Sequence, residues 1–144
     1  DIRGENDIPL KSKWTKGPRT FLGMMVDDFP NMFMILGPHA ALGNNPRSIE
    51  HNVEWISDFM DYMRTNNLTR AESPLSAVDE WHELVSGKAE TLLGNEVDSW
   101  MTGINLNVEG KQTRTIVRYT GTAPEYRARC DDVARHNFEE LRLS

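Results

Sequence analysis

A short apolar run at residues 32–36 constrains the fold of this chain more than any other feature of its sequence. The run follows Pro30 and closes at Gly37. A continuous apolar run of this length between turn residues is typical of a β-strand buried on both faces. Such a strand needs neighbours, and the further candidates are residues 24–26 and the β-branched stretch 115–119. We therefore predict a strand here, in a chain with too few strands for an independent sheet.

Helical patterns cover much of the remaining sequence. Asn45 is a candidate N-cap with Pro46 in the first helical position, so a long helix is predicted over 46–65. Its apolar residues have the spacing of one buried stripe, which comprises Ile49, Val53, Ile56, Met60 and Met63. A second helix is predicted over 75–93 and a C-terminal helix over 124–142. The expected fold class is α/β and helix-rich, and the whole chain, 1–144, forms a single segment.

The predicted helices divide the rest of this segment into three stretches. Residues 1–20 form an irregular arm, residues 21–45 hold the predicted strand and a loop, and residues 94–123 hold a loop and a short strand. The chain begins with Asp1 and has neither an initiator Met nor a signal sequence. This start indicates a cut into a longer chain.

Composition excludes several classes of function. The 16 basic and 22 acidic side chains give a net charge of −6, which argues against nucleic-acid binding. No apolar run is long enough to cross a membrane. The single cysteine, Cys130, is compatible with a reducing compartment, so we expect a cytoplasmic location. One cysteine and four scattered histidines lack the spacing of zinc ligands, so no metal site is predicted.

Glycine spacing excludes nucleotide-binding loops within this chain. No two of the ten glycines are separated by one residue or by three residues, so neither G-x-G-x-x-G nor G-x-S-x-G can occur. The chain therefore has no dinucleotide fingerprint of its own, and the order of its Ser, His and Asp residues gives no signal of a catalytic triad.

Several longer segments carry a specific resemblance. The chain contains FPNMFMILGPH at 29–39, NNPRSIE at 44–50, VEWI at 53–56 and SWMTGIN at 99–105. Together with DIRG at 1–4, GK at 110–111 and YR at 126–127, these segments resemble the C-terminal part of the flavin-dependent Baeyer-Villiger monooxygenases. The resemblance spans essentially the whole chain. Residues 37–44 and 107–111 are most similar to members that act on aryl or large cyclic ketones.

The resemblance implies a flavoprotein with two dinucleotide-binding domains, in which this chain completes the FAD-binding domain. Such an enzyme uses FAD, NADP(H) and O2 to convert ketones to esters or lactones, and its active-site arginine and cofactor glycines would lie upstream. The implied partners are the ketone, O2 and the rest of the same polypeptide. The fragment alone is expected to be inactive, to hold no cofactor tightly and to self-associate. A noncatalytic binding or assembly module derived from this fold is the alternative.

The resemblance places Asn44 and Asn45 beside the flavin as cofactor-binding residues. A helix start offers unpaired backbone N–H groups and the positive end of the helix dipole, which stabilise negative charge. The spacing alone favours an ordinary helix start, and it is the family resemblance that favours a place beside the flavin. Arg47, in the first turn, is compatible either with an external anionic partner or with a solvent-facing position.

The remaining implied site residues lie in two loops. Ala41, Leu42 and Gly43 would line the ketone pocket, where Gly43 leaves room for the substrate. Trp100 would contact NADP, and the alternative is a tryptophan of the core. Lys111 would approach a cofactor phosphate, and the alternative is a solvated lysine.

Overall fold

The computed structural model describes residues 1–41, 43–89, 102–104, 107–108 and 114–144. Within this part, the elements are a 3-10 turn (Glu5–Asp7), α1 (Leu10–Lys13), α2 (Asn45–Thr65), β1 (Ala71–Glu72), α3 (Leu75–Ala89), α4 (Ala123–Arg135) and β2 (Arg142–Leu143). The helix-rich fold class is confirmed. Among the helices described, none combines the length and the hydrophobicity that a membrane span requires.

The start of α2 is capped one residue earlier than predicted. The side-chain oxygen of Asn44 accepts a hydrogen bond from the backbone N–H of Arg47 at 3.2 Å, which makes Asn44 the N-cap. Asn45 is the first helical residue and Pro46 follows it. The helix ends at Thr65, where the prediction placed its end.

The predicted buried stripe of α2 is wrong for most of its residues. Ile49, Val53 and Met60 are exposed, whereas the buried face is formed by Asn52, Trp55, Phe59 and Met63. The large aromatic rings decide this orientation, because the ring of Phe59 lies 4.5 Å from that of Phe138 beyond α4. The helix therefore has two apolar faces, and only one of them is buried by the residues that the structure describes.

The C-terminal helix is shorter than predicted. A capping box between Thr122 and Glu125 begins α4, which ends at Arg135 rather than near residue 142. Asn137 and Phe138 have φ angles of 54° and 56°, in the left-handed region, so the helix cannot continue through them. The chain then returns as β2, which pairs antiparallel with β1.

The predicted strand over 32–36 is not formed. Met34 donates its N–H to the carbonyl of Met24 at 2.8 Å, and Leu36 donates its N–H to the side chain of Asn52 at 3.2 Å. A ladder needs a partner strand, and the part of the chain that the structure describes supplies none. The other candidates form single bridges only, Phe21 with Met25 in the first and Ala41 with Tyr119 in the second.

The other boundaries agree in part. Residues 1–20 are not wholly irregular, because they hold the 3-10 turn and α1. The second helix is described from Leu75 to Ala89, and residues 90–93 lie outside the described residues. Of the predicted loop and short strand at 94–123, residues 94–101, 105–106 and 109–113 also lie outside them.

Candidate functional site

The loop that precedes α2 is attached to residues 116–119 along its backbone. The N–H of His39 donates to the carbonyl of Val117 at 3.2 Å. The N–H of Tyr119 donates to the carbonyl of Ala40 at 3.1 Å, and Ala41 and Tyr119 form a parallel bridge. The loop is therefore held in place up to Ala41, at the point where the implied substrate residues begin.

The imidazole of His39 is the buried anchor of this loop. Its side chain is fully buried, and its Nε2 donates to the carbonyl of Ile116 at 2.8 Å, with Nδ1 3.4 Å from the hydroxyl of Thr20. Burial lowers the pKa of His39 to about 4, although the bond to Ile116 opposes the change. The ring is accordingly neutral at pH 7 and acts as a hydrogen-bonded support rather than as an acid or base.

The implied ketone-pocket residues differ in accessibility. Ala41 is buried, whereas Gly43 is exposed. Apart from its two chain neighbours, no described residue has an atom within 4 Å of the place where a Cβ on Gly43 would stand. Gly43 thus borders open space, and its role in a ketone pocket stays a prediction. Leu42 lies outside the described residues, and so do the two implied NADP contacts, Trp100 and Lys111.

The start of α2 presents an unbalanced positive end. Asn44 accepts from two N–H groups, that of Arg47 through its side chain and that of Ser48 through its carbonyl at 3.0 Å. Pro46 has no N–H. Among the described residues, the N–H of Asn45 is therefore the one N–H of the first turn without a partner. No acidic residue stands in this turn, and Asn44 and Asn45 are exposed. An anionic group would be stabilised at this position.

A buried polar network that sequence reasoning missed orients α2. The amide of Asn52 donates to the hydroxyl of Tyr126 at 3.1 Å, and that hydroxyl donates to the carbonyl of Leu22 at 2.7 Å. The oxygen of Asn52 accepts from the N–H of Leu36. Burial raises the pKa of Tyr126, so its hydroxyl stays protonated. The sequence offers only a weak signal for this network, namely one polar residue, Asn52, on the same helix face as the apolar Trp55.

A second cluster of charged groups lies away from this loop. Carboxylate oxygens of Glu5, Asp28 and Glu72 come within 4.8 Å of one another. Arg70 bonds both glutamates, and Lys13 bonds Asp28 at 2.6 Å. Each of the three carboxylates is therefore already paired with Arg70 or Lys13, and an ion-pair network explains the cluster.

The sequence and the fold of this chain are similar to those of monooxygenases. No protein-family model matches the sequence. The chain is 37% identical to cyclohexanone 1,2-monooxygenase of Acinetobacter sp. over 96% of this chain, and 34% identical to a Baeyer-Villiger monooxygenase of Pseudooceanicola batsensis over 98%. The crystal structure of cyclohexanone monooxygenase from Rhodococcus sp. Phi1 bound to NADP+ superimposes with a TM-score of 0.94 at 34% identity, over 100% of this chain and 27% of that one. The chain spans 25% of the length of both curated relatives.

Proposed function

We propose that this chain, which is homologous along nearly its whole length to Baeyer-Villiger monooxygenases, is the C-terminal part of such an enzyme. The observation that carries the proposal is the superposition of this whole chain on 27% of a cyclohexanone monooxygenase bound to NADP+. The longer polypeptide would oxidise ketones to esters or lactones with O2 and NADPH. FAD, when bound, supplies the oxygen chemistry.

The residues at the start of α2 fit a role beside the flavin. Its positive helix end lacks an acidic neighbour, and Asn44 and Asn45 are exposed at that end. A solved monooxygenase of similar fold holds both FAD and NADP. In this proposal Asn44 and Asn45 contact the flavin, and the helix end stabilises negative charge on it.

The loop residues are assigned to the ketone and to NADP. In this proposal the wall of the ketone pocket includes Ala41, Leu42 and Gly43. The loop is anchored up to Ala41, and Gly43 borders open space. Trp100 and Lys111 would bind NADP through ring packing and charge. These five assignments rest on the family resemblance.

The decisive experiment compares two purified proteins. One is the polypeptide encoded by the complete reading frame that contains this chain, and the other is the 144-residue chain. We expect a stoichiometric flavin absorption band and NADPH-dependent ester formation from a ketone in the first, and neither in the second. The second lacks phosphate-binding glycine loops, whose N–H groups bind a dinucleotide.

Two results would contradict the proposal. A complete reading frame that starts at this segment and yields a protein without FAD would favour a noncatalytic module. A stoichiometric flavin band in the 144-residue chain would show that the upstream cofactor loops are not needed.

A further inference from the structure

A short segment, residues 115–119, is bonded to the loop that precedes α2. The N–H of His39 donates to the carbonyl of Val117 at 3.2 Å. The Nε2 of His39 donates to the carbonyl of Ile116 at 2.8 Å. The implied ketone-pocket residues, 41–43, begin two positions after His39, and we call them the ketone loop. Residues 115–119 therefore fix the place where the ketone loop starts.

The same segment is bonded to a second loop. The N–H of Thr115 donates to the carbonyl of Thr102 at 2.8 Å. Trp100 stands two positions before Thr102 in the sequence, and Lys111 stands four positions before Thr115. Both implied NADP contacts are thus close to this bond along the chain, and we call residues 100–115 the NADP loop.

The side chain of Thr115 fits between two glycine backbones. A Cβ on Gly103 would collide with its hydroxyl oxygen, and a Cβ on Gly17 would stand 2.7 Å from its methyl carbon. Both glycines have a positive φ, 75° at Gly103 and 116° at Gly17. A shift of the neighbouring Ile116 would therefore move Thr115 out of a closely fitting position.

The imidazole of His39 is the side chain that holds Ile116. The ring is fully buried, and burial lowers its pKa, so at pH 7 it is neutral and carries one N–H. The carbonyl of Ile116 can only accept a hydrogen bond, so this N–H stands on Nε2. His39 thus belongs to the stretch before the ketone loop through its backbone, and its ring is bonded to the segment that ends the NADP loop.

We propose that His39 is a positioning residue for both the ketone and NADPH, because its bond to Ile116 holds the ketone loop in one fixed place relative to the NADP loop. The proposal rests on the proposed function, which assigns the ketone to the first loop and NADP to the second. His39 touches neither compound in this proposal. It acts through the backbone of Ile116 and of Thr115, so its loss should weaken both binding sites together.

The test uses the polypeptide from the complete reading frame and three variants of it. His39→Asn removes the donor to Ile116, because the amide nitrogen of asparagine reaches only as far as Nδ1 of histidine. His39→Gln restores this donor, because the amide nitrogen of glutamine reaches as far as Nε2. Val133→Ala removes two methyl groups from a buried side chain of α4, which carries neither loop, and is the control for lost stability.

The kinetic constants distinguish positioning from stability. We expect His39→Asn to raise the KM for the ketone and the KM for NADPH, each at least about fivefold, and to lower the yield of product per NADPH. The kcat of NADPH oxidation should change less than about twofold. His39→Gln should restore most of both KM values. Val133→Ala should lower the melting temperature and leave both KM values as in the wild type.

Three results would overturn the proposal. An unchanged KM for NADPH in His39→Asn would show that the ring acts on one loop only. An equal rise of both KM values in Val133→Ala would trace the effect to lost stability. A folded His39→Gln variant that is as impaired as His39→Asn would show that the bond to Ile116 is not the cause.

Amide hydrogen exchange at Thr115 gives a second measurement that does not depend on activity. At equal free energy of unfolding, we expect this amide to exchange at least about tenfold faster in His39→Asn than in Val133→Ala, because its bond to Thr102 opens locally. Equal exchange rates in the two variants would overturn the proposal.

The two measurements separate this proposal from the proposed function. A polypeptide without FAD or ketone oxidation that still shows the difference in exchange would refute the proposed function and leave the bonded link between the loops intact. An active flavoprotein with equal exchange rates and an unchanged KM for NADPH would do the reverse.

Discussion

Replacing His39 by asparagine should remove a specific pH dependence of folding stability. His39 is the most deeply buried histidine of the chain and has a positive φ of 67°, which asparagine tolerates better than most residues. The substitution deletes the titrating group and its bond to the carbonyl of Ile116. It leaves the backbone bond from residue 39 to Val117 available.

The size of the effect follows from the two pKa values of His39. Burial lowers its pKa from 6.5 to about 4 in the folded chain, so the unfolded chain binds the proton more tightly between these pH values. The stability that this group contributes is therefore fully present above about pH 6.5 and is lost as the pH falls towards 4. The loss amounts to about 3 kcal/mol, because each pKa unit corresponds to about 1.4 kcal/mol.

The assay is urea unfolding of both proteins at several pH values between 7 and 4. The remaining titratable groups are the same in both proteins, so their contributions cancel in the difference. We expect the wild-type chain to lose about 3 kcal/mol more than His39→Asn over this range. At pH 7 the variant should be less stable by about 1–3 kcal/mol, because the part-buried carbonyl of Ile116 loses its donor.

Parallel stability curves would refute this reasoning. If the two free energies of unfolding change with pH by the same amount, to within about 0.5 kcal/mol, the imidazole of His39 titrates alike in the folded and unfolded chains. The loop before α2 would then have a different anchor.

Three further predictions concern the start of α2 and the implied site. Asn44→Ala should cost about 1 kcal/mol in urea unfolding, because Asn44 caps the helix, whereas Asn45→Ala should cost nothing; equal losses would place the cap elsewhere. In the complete enzyme, Leu42→Ala should change the ratio of activities on bulky and small ketones on the order of tenfold at unchanged FAD content, and an unaltered ketone profile would remove Leu42 from the pocket. Trp100→Ala should weaken NADPH binding or the yield of product per NADPH, whereas a lower melting temperature with full coupling would indicate a core residue.

The sequence by itself was sufficient for the features that depend on neighbours along the chain. The long helix ends where its asparagines predict, and its start differs by one residue because Asn44 and Asn45 are equally suited as caps. The cap pattern predicted the helix start to within one residue. The family resemblance assigned roles to the loop before it, and these stay predictions. It could not identify His39 or Asn52, because the roles of both depend on groups distant in sequence, the carbonyl of Ile116 and the hydroxyl of Tyr126.

The tertiary structure alone decided which face of α2 is buried and whether residues 32–36 form a strand. Both faces of α2 carry apolar residues, so periodicity could not choose between them, and packing of Phe59 on Phe138 did. The run at 32–36 has the composition of a strand, but a ladder consists of hydrogen bonds to a second backbone. Within the described chain this segment makes only isolated hydrogen bonds, and it bends at Ile35 and Leu36, where Leu36 has a left-handed φ of 51°.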